Sequence, residues 1–177
     1  FMRIGNVDTR NQAYIIAEIG NNHEGDFSLA KEMIQAAAGT GVNAVKFQTI
    51  IPEYFITSKD CERFETLKRF QLSFEEFNEL SQEAKKFKLE FFSTPFDINS
   101  ARFLNTIQNL FKISSGDNNF FQLIEMVESF KKPTLISTGM ANLSLLEKIY
   151  SIWDKTDWAD NLAFLHCVSS YPTPLAE

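Results

Sequence analysis

Carboxylates, ammonium groups and hydroxyls recur in this chain where short apolar runs come to an end. Glu18 interrupts "IIAEIG", Lys46 and Gln48 sit in "AVKFQT", and Ser93 and Thr94 close "LEFFST". Further along, Lys112, Ser114, Ser115 and Asp117 fall in "FKISSGD", Ser137 and Thr138 in "LISTG", and His166, Ser169 and Ser170 in "LAFLHCVSS". Gathered in one place, such groups can move protons and hold an anion; scattered, they do neither. An acid inside an apolar strand is costly unless it is paired, which marks Glu18 as more than core. Lys112, flanked by Phe111 and Ile113, is equally hard to place on a solvated surface. Lys46 by itself reads as well for a solvated rim lysine. Ser114 and Thr138 read as turn residues, and Ser93 and Thr94 as orienting the chain before Pro95, which holds its predecessor extended.

The elements that must position these groups alternate. Residues 13–19 read as a strand, and 26–41 as a helix with Asp26 as N-cap and Gly39 and Gly41 as the stop. Residues 42–48 form a second strand, and 49–72 a longer charged excursion. The helix at 73–88 opens on a capping box, Ser73 with Glu76. Strands then follow at 89–97, 110–117, 133–140 and 162–174, with helical patterns at about 99–107, 120–130 and 143–153 between them. Strict alternation implies parallel strands, because each crossover is supplied by a helix. The near-continuous apolar runs fit strands covered on both faces. An open doubly wound sheet and a (β/α)8 barrel both meet this pattern. The only "GTG", at 39–41, follows a helix instead of a strand, which counts against a dinucleotide-binding sheet. The expected fold is therefore an α/β (β/α)8 TIM barrel, whose strand ends converge on one face. A full barrel takes roughly 250 residues, so residues 2–177 are expected to supply about six of its eight units.

Composition narrows the function classes. The formal net charge is −6, with 17 Lys and Arg against 23 Asp and Glu, and no basic patch is evident to follow a phosphodiester backbone. Nucleic acid is therefore not an expected partner. No apolar run reaches the roughly 18 residues a membrane helix needs. The two cysteines, Cys61 and Cys167, lie far apart in sequence, in keeping with reduced thiols and a cytoplasmic location. His23 reads first as a residue fixing its polar loop, and His166 as a strand-end histidine, not a metal ligand.

Six segments in order, "IIAEIGNNHEGD", "AVKFQT", "FFSTPFD", "FKISSGD", "LISTGM" and "LHCVSSYPTP", resemble the sialic acid synthase family. That family includes N-acetylneuraminate, legionaminic and pseudaminic acid synthases. The resemblance implies a (β/α)8 barrel followed by a small antifreeze-like lid domain, assembled as a homodimer. It implies condensation of phosphoenolpyruvate with an N-acylated hexosamine of the N-acetylmannosamine type, with release of phosphate. By position, Lys46 and Lys112 resemble the phosphoenolpyruvate-binding lysines, and Ser115, Ser137 and Ser169 residues near the phosphate. Glu18 and Gln48 resemble groups near the reacting carbons, and Tyr171 the sugar-side residue. Asp117 stands where the family often has Glu, an acid/base candidate one methylene shorter. The implied cofactor is a divalent metal, Mn2+ or Mg2+, with ligands beyond residue 177 and none in this chain. On that basis the chain alone would be inactive. The rival expectations are a non-catalytic phosphate- or sugar-binding fragment and another barrel aldolase or lyase.

Overall fold

The computed structural model describes residues 2–170 and 172–174. It opens with a short antiparallel hairpin, β1 (Arg3–Ile4) and β2 (Val7–Asp8). After β3 (Ile16–Gly20), Asp26 accepts hydrogen bonds from the Ser28 and Leu29 amides and starts α1 (Phe27–Ala38). Then come β4 (Ala44–Thr49), α2 (Pro52–Phe55), α3 (Cys61–Phe70) and α4 (Phe74–Lys86). Helix α4 begins at the expected capping box, with the Ser73 and Glu76 side chains each bonded to the other's backbone amide. The remainder is β5 (Glu90–Pro95), α5 (Ile98–Leu104), β6 (Phe111–Ile113), α6 (Phe121–Ser129), β7 (Thr134–Ser137), α7 (Leu143–Trp153) and β8 (Leu162–Leu165). The hairpin and the two helices of the 49–72 excursion were not anticipated. Helix α3 buries none of its residues fully, so it carries no strong apolar stripe to read.

The long strands form two parallel sheets, β3-β4-β5 and β6-β7-β8. Strands β5 and β6 lie side by side without sharing a ladder. The buried Gln108 bridges this seam. Its Oε1 accepts from the Ser93 amide at 2.8 Å, and its Nε2 donates to the Ser93 carbonyl at 3.3 Å. A side-chain amide thus serves Ser93 as a neighbouring strand would. Replacing Gln108 with Met keeps the volume and leaves a buried N–H and C=O unpaired. The expected cost is about 2–4 kcal/mol, read as a lower urea midpoint at constant m-value; an unchanged midpoint would refute the bridge.

The two-residue period of the strands divides the core. One set of side chains faces the helices. Val45, Phe47 and Phe91 pack with Ala30 and Ile34 of α1 and Phe77 and Leu80 of α4. Phe111, Ile113 and Ile136 pack with Leu123 and Ile124 of α6 and with Ile149 and Trp153 of α7. The alternate set turns inward, where Ala44, Phe92, Leu110 and Leu135 cluster with Met2 and Ile4 of the hairpin, and Ile16 packs against them. Two residues further along β3, β4, β5 and β7, on the same face, the apolar residue gives way to a polar one. Ile16 is succeeded by Glu18, Ala44 by Lys46 and then Gln48, Phe92 by Thr94, and Leu135 by Ser137. A polar layer therefore lies one pleat above an apolar floor.

Candidate active site

That layer lines a cavity of about 460 Å3. Glu18, Lys46, Gln48, Thr94, Lys112, Ser114, Ser115 and Ser137 supply its polar wall, and Ile16, Phe96, Leu135 and Leu165 the apolar part. Glu18 and Lys46 are register partners across β3 and β4, and the Lys46 ammonium lies 2.6 Å from Glu18 Oε2. It also donates to Thr94 Oγ1 at 3.3 Å. The Glu18 side chain is half exposed while Lys46 is buried, so the pair stands at the boundary between floor and opening. Gln48, two residues beyond Lys46, accepts from the Asn21 side chain at 3.1 Å.

Lys112 is buried and donates to the Ile113 carbonyl and to Ser137 Oγ, each at 2.6 Å. Burial, and then the neighbouring Lys46 ammonium, lower its pKa to about 8. Two cations in one cavity destabilise each other, and an entering anion relieves both. An ammonium carries three donors. Lys112 and Lys46 each spend two on the partners named among the described residues, which leaves each one N–H for a ligand.

After β6 a single 3-10 turn, Ser115–Asp117, folds the chain over the cavity. Ser115 Oγ accepts from the Gly139 amide at 3.1 Å. Gly139 leaves no free room for a side chain: a Cβ would stand 2.7 Å from Ser115 Oγ and 3.1 Å from Ser169 Oγ, so a larger residue would displace these hydroxyls. Ser169 accordingly sits beside Ser115, although it does not line the cavity. The buried Asn118 clamps the turn to β7 by donating to the Gly139 carbonyl at 3.0 Å and the Ser137 carbonyl at 3.5 Å.

Asp117, the shorter acid/base candidate, stands behind Ser114. It is absent from the cavity wall, and its Oδ2 accepts from Ser114 Oγ at 2.5 Å. Burial raises its pKa, while the Ser114 hydrogen bond and Lys112 act against that rise. Tyr171 lies outside the described residues. Thr94 and Ser114 were read only as loop and turn residues; the available signal was the pleat, which puts Thr94 two places beyond the inward Phe92. Thr138 opens a turn, its carbonyl accepting from the Ala141 amide at 3.0 Å, while its hydroxyl donates to the Leu165 carbonyl of β8 at 3.0 Å. His23 is buried, its Nδ1 accepts from the Gly25 amide at 3.1 Å, and its ring packs near Phe47. That is the loop-fixing arrangement, and His23 does not line the cavity. Cys61 and Cys167 are both free.

Two buried lysines, a carboxylate and several hydroxyls thus stand together at the carboxyl ends of the parallel strands of an α/β protein. The chain belongs to the NeuB family, whose model matches residues 33–177. It is 41% identical over 162 residues to an uncharacterized protein of Methanocaldococcus jannaschii, covering 91% of this chain and 48% of that one. It is 34% identical to the N,N'-diacetyllegionaminic acid synthase of Campylobacter jejuni, covering 92% of this chain and 53% of the relative. Among solved structures, the N-acetylneuraminic acid synthetase of Leptospira borgpetersenii, in complex with citrate, superposes with a TM-score of 0.91 at 34% identity. That match covers 99% of this chain and 61% of the synthetase. The chain thus spans about half the length of the curated relatives it matches. No helix among the described residues is long and apolar enough to cross a membrane.

A divalent ion was expected from ligands elsewhere. Among the described residues no three His, Cys, Asp or Glu side chains converge to hold one.

Proposed function

We propose that this chain forms the phosphoenolpyruvate-binding portion of a cytoplasmic synthase that makes a nonulosonic acid. In this reading its six parallel strands are six of the eight staves of a TIM barrel. The remaining staves, the lid, the divalent-metal ligands and a partner subunit complete the active homodimer, and the chain alone is inactive. The observation that carries the proposal is the convergence of Lys46, Lys112, Ser115 and Ser137 on one cavity. Phosphoenolpyruvate bears a phosphate and a carboxylate, and two buried ammonium groups in the cavity wall offset that charge.

The second substrate is an N-acylated hexosamine in its open-chain form. C3 of phosphoenolpyruvate forms a bond to the aldehyde carbon, positive charge develops at C2, water adds there, and phosphate leaves by C–O cleavage. Lys46, Lys112 and the Ser115, Ser137 and Ser169 hydroxyls hold and orient the phosphorylated acid, which lowers the entropic part of the barrier. Glu18 and Gln48 stand near the reacting carbons, and Tyr171 is assigned to the sugar side. Phosphate release by the full-length protein should require both substrates. Release from phosphoenolpyruvate alone, or none with any N-acyl hexosamine, would overturn the assignment.

Lys112 also makes phosphoenolpyruvate affinity depend on pH. Its pKa is about 8 without ligand, and a bound anion raises it. Binding therefore takes up a proton between the two values, and affinity falls as pH rises through that window, by up to about tenfold per pH unit. Titration calorimetry in buffers of different ionisation enthalpy should register proton uptake near pH 8.5. A lowered lysine pKa also suits a Schiff-base aldolase. Borohydride trapping with a keto acid separates the two, because the synthase forms no covalent adduct.

A further inference from the structure

We propose that Asp117 serves the cavity through Ser114, the two acting as a proton relay for the water that adds at C2. This rests on the synthase reading above. Ser114 lines the cavity and Asp117 does not, yet Ser114 Oγ donates to Asp117 Oδ2 at 2.5 Å. The backbone fixes the pair as well, since the Asp117 amide donates to the Ser114 carbonyl at 3.2 Å within one 3-10 turn. Asp117 does not itself line the cavity, and the hydroxyl in front of it supplies the missing reach. Burial raises the Asp117 pKa, while the Ser114 hydrogen bond and Lys112 act against that rise; with Ser114 Oγ held at 2.5 Å, a proton has a short path to the carboxylate and back.

As the water oxygen bonds to C2, one water O–H bond breaks and its proton passes to Ser114 Oγ. The hydrogen already on Ser114 moves to Asp117 Oδ2 at the same time. When the C2–O bond to phosphate breaks, the relay runs backwards and delivers that proton to the departing phosphate oxygen. The water's second proton, left on the C2 hydroxyl, passes to the alkoxide at the former aldehyde carbon as the C2 carbonyl forms, so both water protons are placed, the serine is unchanged after each pass, and no oxidant, reductant or additional reactant is needed. Ser114 is the group that touches the reacting water; Asp117 acts through it.

The test uses the full-length protein with phosphoenolpyruvate and an N-acyl hexosamine. Ser114→Ala and Asp117→Asn should each lower kcat by about 10²-fold, within the range for general acid–base catalysis, with KM for phosphoenolpyruvate little changed. Each should also abolish the same limb of the kcat–pH profile. The Ser114→Ala/Asp117→Asn double variant should be no slower than either single one, because a relay fails as a unit. Ser114→Ala/Asp117→Glu should recover at least about tenfold over Ser114→Ala, because the longer acid reaches the space the hydroxyl left. Additive losses, an unchanged pH profile, or no recovery would overturn the relay. A second measurement keeps it apart from the synthase reading. With 13C-labelled aspartate, Ser114→Ala should raise the Asp117 titration midpoint by removing a bond that favours the carboxylate. An unmoved midpoint overturns the relay whatever the activity. A moved midpoint in a protein that makes no product overturns the synthase reading, and the relay's catalytic role with it.

Discussion

Replacing Lys112 with methionine in the full-length protein is expected to reduce kcat/KM for phosphoenolpyruvate by about 10²–10³-fold while leaving the fold intact. Lys112 is buried at the cavity floor, hydrogen-bonded to Ser137 Oγ and the Ile113 carbonyl. Truncating one partner of a buried, hydrogen-bonded charge pair costs about 2–5 kcal/mol, and a loss of 10²–10³-fold corresponds to about 3–4 kcal/mol. The free protein behaves differently. There the ammonium is desolvated beside the Lys46 cation, so methionine removes an unfavourable charge and fills much the same volume. Methionine also leaves the Ile113 carbonyl and Ser137 Oγ without their donor, a cost that opposes the gain, so the unfolding midpoint should change little as activity falls. Steady-state kinetics and a denaturant titration on one preparation check both halves. A kcat/KM within threefold of the parent would remove Lys112 from the anion site.

The largest stability effect is expected at Gly25. Its φ of +87° is favourable only for glycine. A Cβ built there lies 2.1 Å from the Arg69 carbonyl oxygen, a backbone atom at the end of α3 that cannot rotate aside. Gly25 is also the donor to the buried His23 ring, and Asp26, next in sequence, caps α1. Gly25→Ala therefore forces the loop after β3 away from α3 and disturbs the start of α1. Positive-φ strain of about 1–3 kcal/mol adds to the clash, for a total loss of about 3–5 kcal/mol. For a chain of this size that is roughly a 10 °C fall in Tm. Differential scanning calorimetry of Gly25→Ala checks it; a Tm within 2 °C of the parent would mean the two segments are not packed as described.

The order of the elements was legible because the apolar runs are short, the amphipathic stretches between them have helical spacing, and the caps are local. Asp26 and Ser73 start their helices where the sequence places them. The hairpin was missed because a two-residue strand has no period to detect. Helix α3 was missed because it is held by a cap at Asp60 and by contact through Gly25, with no fully buried residue of its own. Glu18, Lys46, Gln48, Lys112, Ser115 and Ser137 could be singled out because each breaks or ends an apolar run.

What the sequence determined by itself was which chemical groups stand at the ends of parallel strands, since strand periodicity and residue type are local properties. Tertiary structure alone decided the rest. The pairing of β3 with β4 sets Glu18 against Lys46. The pairing of β6 with β7 brings Lys112 near Ser137. The turn after β6 puts Ser114 in front of Asp117. Distance between side chains from separate strands depends on register, and register is fixed by packing against the helices and the hairpin floor, which no single segment encodes.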